Sequence, residues 1–167
     1  MDKSTAVVAD RLLCDGKDVG DYVKVTLPEL KWKTTTLTGA GLMGDVDIPI
    51  QGMAEAMSAQ VDLRNIGKEN APLLLTPGVK KLELRFNRDT VSSDGTTIKA
   101  GTKIYISGMS TGISPGAVAR ASTMDGNATL SVFRYRWVED GQELFLLDQI
   151  NEVYKVGGKD YSDAYRL

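Results

Sequence analysis

Apolar and polar residues alternate with period two through most of the chain, and that alternation predicts its elements. Met57, Ala59, Val61 and Leu63 interleave with Ser58, Gln60, Asp62 and Arg64, the pattern of a strand with one buried face. Leu82, Leu84 and Phe86 alternate with Lys81, Glu83 and Arg85, and Ser92-Ser93-Asp94-Gly95 then supplies turn chemistry for a return over residues 103–108. Residues 129–138 are rich in β-branched and aromatic side chains, and Asp140-Gly141 turns them into residues 143–147, a second hairpin. Two strand-like runs, 5–14 and 22–27, flank Asp15-Gly16-Lys17-Asp18 and predict a third hairpin. Pro28 precedes a Thr-rich run, 31–37, that reads as an edge or extended strand.

One short helix is expected over residues 68–75, with Asn70 as its cap, Pro72 in its first turn and Pro77-Gly78 ending it. Two Gly-rich segments, 38–52 and 108–127, read as long loops, and loops of that length carry function more often than mere connection. The expected architecture is therefore mainly β: an antiparallel β-sandwich or partly closed barrel with one short flanking α-helix and long Gly-rich loops. With 167 residues, a single domain spanning 1–167 is expected.

Composition narrows the chemistry. A net charge of −2 gives no bulk attraction for a polyanion. No apolar run approaches the roughly 20 residues that span a bilayer, so no membrane anchor is expected. Asp10 and Arg11 interrupt the first apolar stretch, which argues against a signal peptide and for synthesis in a cytoplasm. The lone cysteine, Cys14, reads as a small apolar side chain on a strand.

Several motifs match catalytic patterns and lack their context. Gly39-Ala40-Gly41-Leu42-Met43-Gly44 fits the dinucleotide pattern, but Asp45-Val46-Asp47-Ile48-Pro49 follows where a phosphate-holding helix N-terminus is required. Gly108-Met109-Ser110-Thr111-Gly112 and Gly112-Ile113-Ser114-Pro115-Gly116 fit the nucleophile-elbow pattern, yet the chain has no histidine to accept the serine proton. The same absence, with one cysteine, leaves no imidazole or thiolate zinc pattern. Asp45 and Asp47 lack the remaining ligands of a calcium loop and read as a solvated acidic turn. No catalytic residue, cofactor site or metal site is assigned, and the expectation is a protein that is not an enzyme.

Two stretches carry a resemblance. Val25-Thr26-Leu27-Pro28-Glu29-Leu30 followed by Gly39-Ala40-Gly41-Leu42-Met43-Gly44 resembles the major tail tube proteins of temperate contractile-tailed phages. The C-terminal stretch does too, from Asp140-Gly141 through Leu147-Asp148-Gln149-Ile150-Asn151 to Lys155-Val156-Gly157-Gly158-Lys159-Asp160, whereas residues 90–126 match least. The resemblance implies a structural virion subunit, assembled in the host bacterial cytoplasm, that forms hexameric rings stacked into a tube. The implied partners are further copies of the chain, the tail sheath protein, the tape measure protein, and the baseplate and tube terminator proteins, with DNA as transient cargo. A headless bacteriocin or injection-system tube has the same architecture. A small ligand-binding β-barrel remains the reading from another class, and 7% aromatic residues is low for one.

Within that frame, Thr38, Gly39, Gly41, Leu42, Met43, Gly44, Asp45 and Asp47 are expected to contact the next ring. The glycines permit close backbone approach, and Leu42 and Met43 offer an apolar anchor. Ser58, Gln60, Asp62 and Arg64 are the candidate face towards the lumen. A neutral or weakly acidic lining is expected, because every cationic contact to phosphate would add affinity to a passing strand.

Overall fold

The computed structural model describes residues 2–165. The chain is mainly β, with about 60% of residues in strands, and its sheet is not closed into a barrel. In order, β1 is Lys3–Cys14, β2 Lys17–Asp18, β3 Tyr22–Thr26, β4 Trp32–Leu37, β5 Val46–Ala54 and β6 Met57–Leu63. The helix α1, Ala71–Leu75, comes next. Then follow β7 Val79–Val91, β8 Thr97–Ser114, β9 Gly126–Glu139, β10 Gln142–Asp148, β11 Val153–Val156 and β12 Lys159–Asp160, with a final 3-10 turn at Ser162–Tyr165.

All pairings are antiparallel, and β9 organises them. One edge of β9 runs along β8; the other pairs with β6 over its first half and with β10 over its second. The sheet continues from β8 through β7 to β1 on one side and from β6 to β3 on the other. It curls so that β3 returns towards β1, where the Tyr22 hydroxyl donates to the Asp10 carboxylate. No ladder joins these two strands.

Two bulges allow the long central strands to serve both halves of the core. Gly108 pairs with Val132 while Ser107 pairs with Arg134, so Phe133 is an extra residue on β9. The buried positions of β9 accordingly change from Ala128, Leu130 and Val132 to Tyr135. A compensating bulge places Thr111 as the extra residue on β8, between Ser110 opposite Leu130 and Gly112 opposite Thr129. The core then joins Leu12 and Cys14 of β1, Met57 to Leu63 of β6, Leu82 and Leu84 of β7, Ile104 and Ile106 of β8, and Leu74 of α1.

The alternating runs form the strands expected of them. The Asp140-Gly141 turn has both residues at positive φ, 48° and 76°, as a tight hairpin of that hand requires. The first hairpin extends well beyond the expected residues 82–86 and 103–108. Three expectations need correction. Asp15-Gly16 does turn the chain, but only into the two-residue β2; Asp21 at φ 65° then redirects it, and β3 pairs with β6 rather than with β1. Residues 38–52 are not all loop, because β5 begins at Val46 and runs through Pro49; β5 is paired on one side only, the setting that tolerates proline in a strand. Residues 108–114 and 126–127 likewise belong to β8 and β9, which shortens the second loop to 115–125, and the bulge at Thr111 is what keeps that glycine-bearing stretch in register.

The helix is shorter than expected, and Asn70 does not cap it with its side chain. Its Oδ1 accepts from Gly67 N at 2.9 Å and its Nδ2 donates to Asn65 O at 2.8 Å, so it ties down the preceding loop instead.

Cys14 is fully buried, and burial first, then the nearby Asp15 carboxylate, pushes its thiol up to about 11. At pH 8 its modification by an aromatic disulfide reagent should be on the order of 100-fold slower in folded protein than in denaturant. Rapid modification of folded protein would contradict this burial.

Candidate assembly surfaces

The β4–β5 hairpin forms a sheet of its own, an arm apart from the ten-stranded sheet. Every residue from 33 to 49 is exposed. Cross-strand pairing sorts its side chains into two faces. Leu37 opposite Val46, Thr35 opposite Ile48 and Lys33 opposite Ile50 make one face largely apolar, and Leu37, Val46 and Ile48 are each more than 40% exposed. Thr34, Thr36, Asp47 and Pro49 make the other polar, and Thr36 Oγ1 donates to Asp47 Oδ1 at 2.7 Å.

Thr38, Gly39, Gly41, Leu42, Met43, Gly44 and Asp45 occupy the tip between the two strands, while Asp47 lies on β5 itself. Gly39, Gly41 and Gly44 have φ of 129°, 92° and 97°, a backbone that other residues adopt only with strain. Leu42 is 43% exposed and Met43 is fully exposed. An isolated two-stranded hairpin is marginally stable in water, and this one presents an uncovered apolar face and an apolar tip.

The alternation of β6 places Met57, Ala59, Val61 and Leu63 in the core and turns Ser58, Gln60 and Asp62 outwards. Arg64 lies just beyond the strand, where it pairs with Asp21 at 3.4 Å. This outward face is wider than one strand. Thr26 and Lys24 of β3 stand beside Gln60 and Asp62, and Ser131, Thr129 and Asn127 of β9 stand beside Ser58, Gln60 and Asp62. Hydroxyls and amides dominate it. Its charges cancel, with Lys24 3.5 Å from Asp62 and Arg64 beside Asp21.

The outward face of β7, β8, β9 and β10 is different, being built from ion pairs. Arg85 meets Glu83 at 2.7 Å, and Arg136 meets Glu143 at 2.6 Å and also lies over the Tyr105 ring. On the opposite, core-facing side, Arg88 pairs with Glu139 beyond Phe86, at the end of the core. At the turn beyond β7, hydrogen bonds led by the Ser92 hydroxyl hold the Asp94 carboxyl down at about 2, fixing that hairpin end.

Among the described residues, no group of three or more His, Cys, Asp or Glu side chains converges as a metal site. The segment after Gly44 is a strand rather than a helix, so the dinucleotide-like glycines lack a dipole to hold phosphate. Sequence reasoning missed the apolar face of the arm. Its signal was the alternation of Val46, Ile48 and Ile50, which Pro49 and the neighbouring glycines disguised as loop. It also missed Val79 and Met109, a cross-strand pair that stands exposed on the same outward face as Ser131.

Comparisons with known proteins bear on the family of this chain. A family described as phage tail tube protein FII matches residues 9–167. The tail tube protein of Escherichia phage P2 is 25% identical over 143 residues, covering 85% of this chain and 83% of that protein. Among solved structures, the sheath/tube terminator of an extracellular contractile injection system, in its extended state, superposes with a TM-score of 0.57 at 12% identity. That match covers 80% of this chain and 96% of the other, and it shows a shared fold. With nearly its whole length matched, the chain belongs to the phage tail tube protein FII family.

Proposed function

We propose that this protein is the structural, non-enzymatic subunit of the inner tube of a contractile tail, assembling into hexameric rings that stack end to end and form the conduit for DNA delivery. The observation that carries this reading is the arm, a two-stranded hairpin with an apolar face and apolar tip that no other described residue covers. A neighbouring copy removes that exposure. Contact between a projecting arm and a different surface on the next copy is heterologous, and heterologous contacts generate rings or open stacks rather than closed dimers. Among the described residues, the edge of β3 away from β6 has no partner strand, and ring closure would pair it with a strand of the adjacent copy.

The hydroxyl- and amide-rich face of β6, β3 and β9 fits the lumen, since its charges are internally paired and offer phosphate no free cation. Tape measure, baseplate and tube terminator proteins complete the set of contacts, with assembly in the host bacterial cytoplasm. A headless particle with the same tube satisfies all of these features except DNA. The ligand-barrel reading lacks the closed barrel it requires.

Purified protein examined by negative-stain microscopy should show rings or tubes, and size exclusion at high concentration should show little monomer. A sharp monomer peak with no rings after prolonged incubation would overturn the assignment.

A further inference from the structure

The root of the arm is built unlike the rest of it. Trp32 pairs with Ala54 and Lys33 pairs with Ile50, so three residues, 51–53, bulge from β5 between consecutive pairs. Gly52 sits in this bulge at φ 93°. Against it lies the ring of Tyr165, so close that a Cβ on Gly52 would stand 2.7 Å from Tyr165 Cε2. Beside the contact is an open cleft of about 300 Å3, lined by Gly52, Met53, Asp148, Glu152, Val153 and Tyr165 among others. The arm therefore leaves the body through a three-residue irregularity with free space beside it and one aromatic ring against its glycine.

The opposing side is firmly held. Ser162 is fully buried; its hydroxyl accepts from Tyr154 N at 2.8 Å, and its own N–H donates to Asp160 Oδ1 at 2.8 Å. These bonds fix the 3-10 turn that carries Tyr165. Nearby, Tyr154 packs edge-on against Trp32 at 5.2 Å, and Gln149 Nε2 donates to Ala54 O at 3.1 Å. The last 20 or so described residues thus hold the strand ends below the bulge and place Tyr165 against the bulge itself.

We propose that residues 51–53 are a hinge for the arm and that Tyr165, carried on the C-terminal 3-10 turn, is the stop that sets the arm's angle. Tyr165 is a positioning residue: it acts on the arm, and the arm makes the contact with the neighbouring copy. This rests on the reading of the arm as a ring-to-ring contact, but the hinge can be tested without assembly. A spin label on Ala40→Cys reports arm motion, since Ala40 lies exposed at the tip and the native Cys14 is inaccessible. Subunits are kept below the concentration at which sedimentation detects assembly.

Tyr165→Ala should shorten the rotational correlation time of the label at least twofold, while the melting temperature of the main sheet stays close to that of the parent. Tyr165→Phe keeps the ring and should leave the label unchanged. Gly52→Ala drives a methyl group into the ring and is expected to loosen the arm as well, giving a second variant should Tyr165→Ala fold poorly. An unchanged correlation time in both Tyr165→Ala and Gly52→Ala, or equal loosening in Tyr165→Phe, would overturn the stop. Tube formation is scored separately in the same variants. A loosened arm with tubes of normal twist and length leaves the hinge standing and removes the arm from ring stacking.

Discussion

Gly108→Ala is expected to destabilise the fold by about 3 kcal/mol, at the upper end of ordinary overpacking costs. Gly108 lies on β8 opposite Val132, beside the bulge formed by Phe133. A Cβ there would stand 2.3 Å from the carbonyl oxygen of Ser131 and 3.1 Å from its carbon. Both atoms are backbone of β9, the strand on which β6, β8 and β10 all register, so no side chain can turn aside to make room. For a domain of this size the loss corresponds to a fall of roughly 6 to 12 °C in melting temperature. Gly112→Ala is the control, because Gly112 lies on the same strand with open space around its Cβ direction and should shift stability by no more than about 0.5 kcal/mol. Urea unfolding followed by tryptophan fluorescence measures both. Equal midpoints for the two variants would show that β8 and β9 do not approach as closely as described.

The arm should behave in the opposite way, with assembly lost and stability kept. In the double variant Leu42→Asp with Met43→Ser, tube formation is expected to fall below detection by microscopy, while the melting temperature stays within about 2 °C of the parent. The physical basis is exposure: Leu42 is nearly half exposed and Met43 wholly so, and neither belongs to the core. Polar replacements there cost the isolated chain little and deny a neighbouring copy its apolar anchor. Unfolding or insolubility of the variant would place the tip in the core. Normal tubes would remove it from assembly.

Leu37→Lys on the apolar face of the arm separates two versions of the contact. Loss of tubes in that variant alone would mean that the face, rather than the tip, is the part covered by the next subunit. By sequence alone, residues 38–52 read as one loop, in which tip and face are not distinguished. In the fold the tip and the face are distinct surfaces, carried by the turn and by the paired strands respectively.

Local chemistry alone accounts for the strand content, the two hairpins closed by Ser92 to Gly95 and by Asp140-Gly141, and the inward and outward sides of β6. These depend on side-chain alternation and on turn residues, both of which act within a few positions along the chain. The lack of a histidine beside the two Gly-x-Ser-x-Gly matches, and the segment Asp45 to Pro49 where the dinucleotide pattern needs a helix, are likewise visible without coordinates. The partner of β3 depended on the whole molecule. Asp15-Gly16 is good turn chemistry in either arrangement, and only the curl of the sheet, which brings β6 alongside, determines that β3 pairs there and not with β1. The same holds for Pro49, which argues against a strand locally and is tolerated because β5 has one neighbour. The bulges at Phe133 and Thr111 have no sequence signature of their own; they arise because β8 and β9 must each face two parts of one core, and one extra residue changes which side chains point inwards. The contact of Tyr165 with Gly52 joins residues more than a hundred positions apart, a distance over which alternation and turn propensity carry no information.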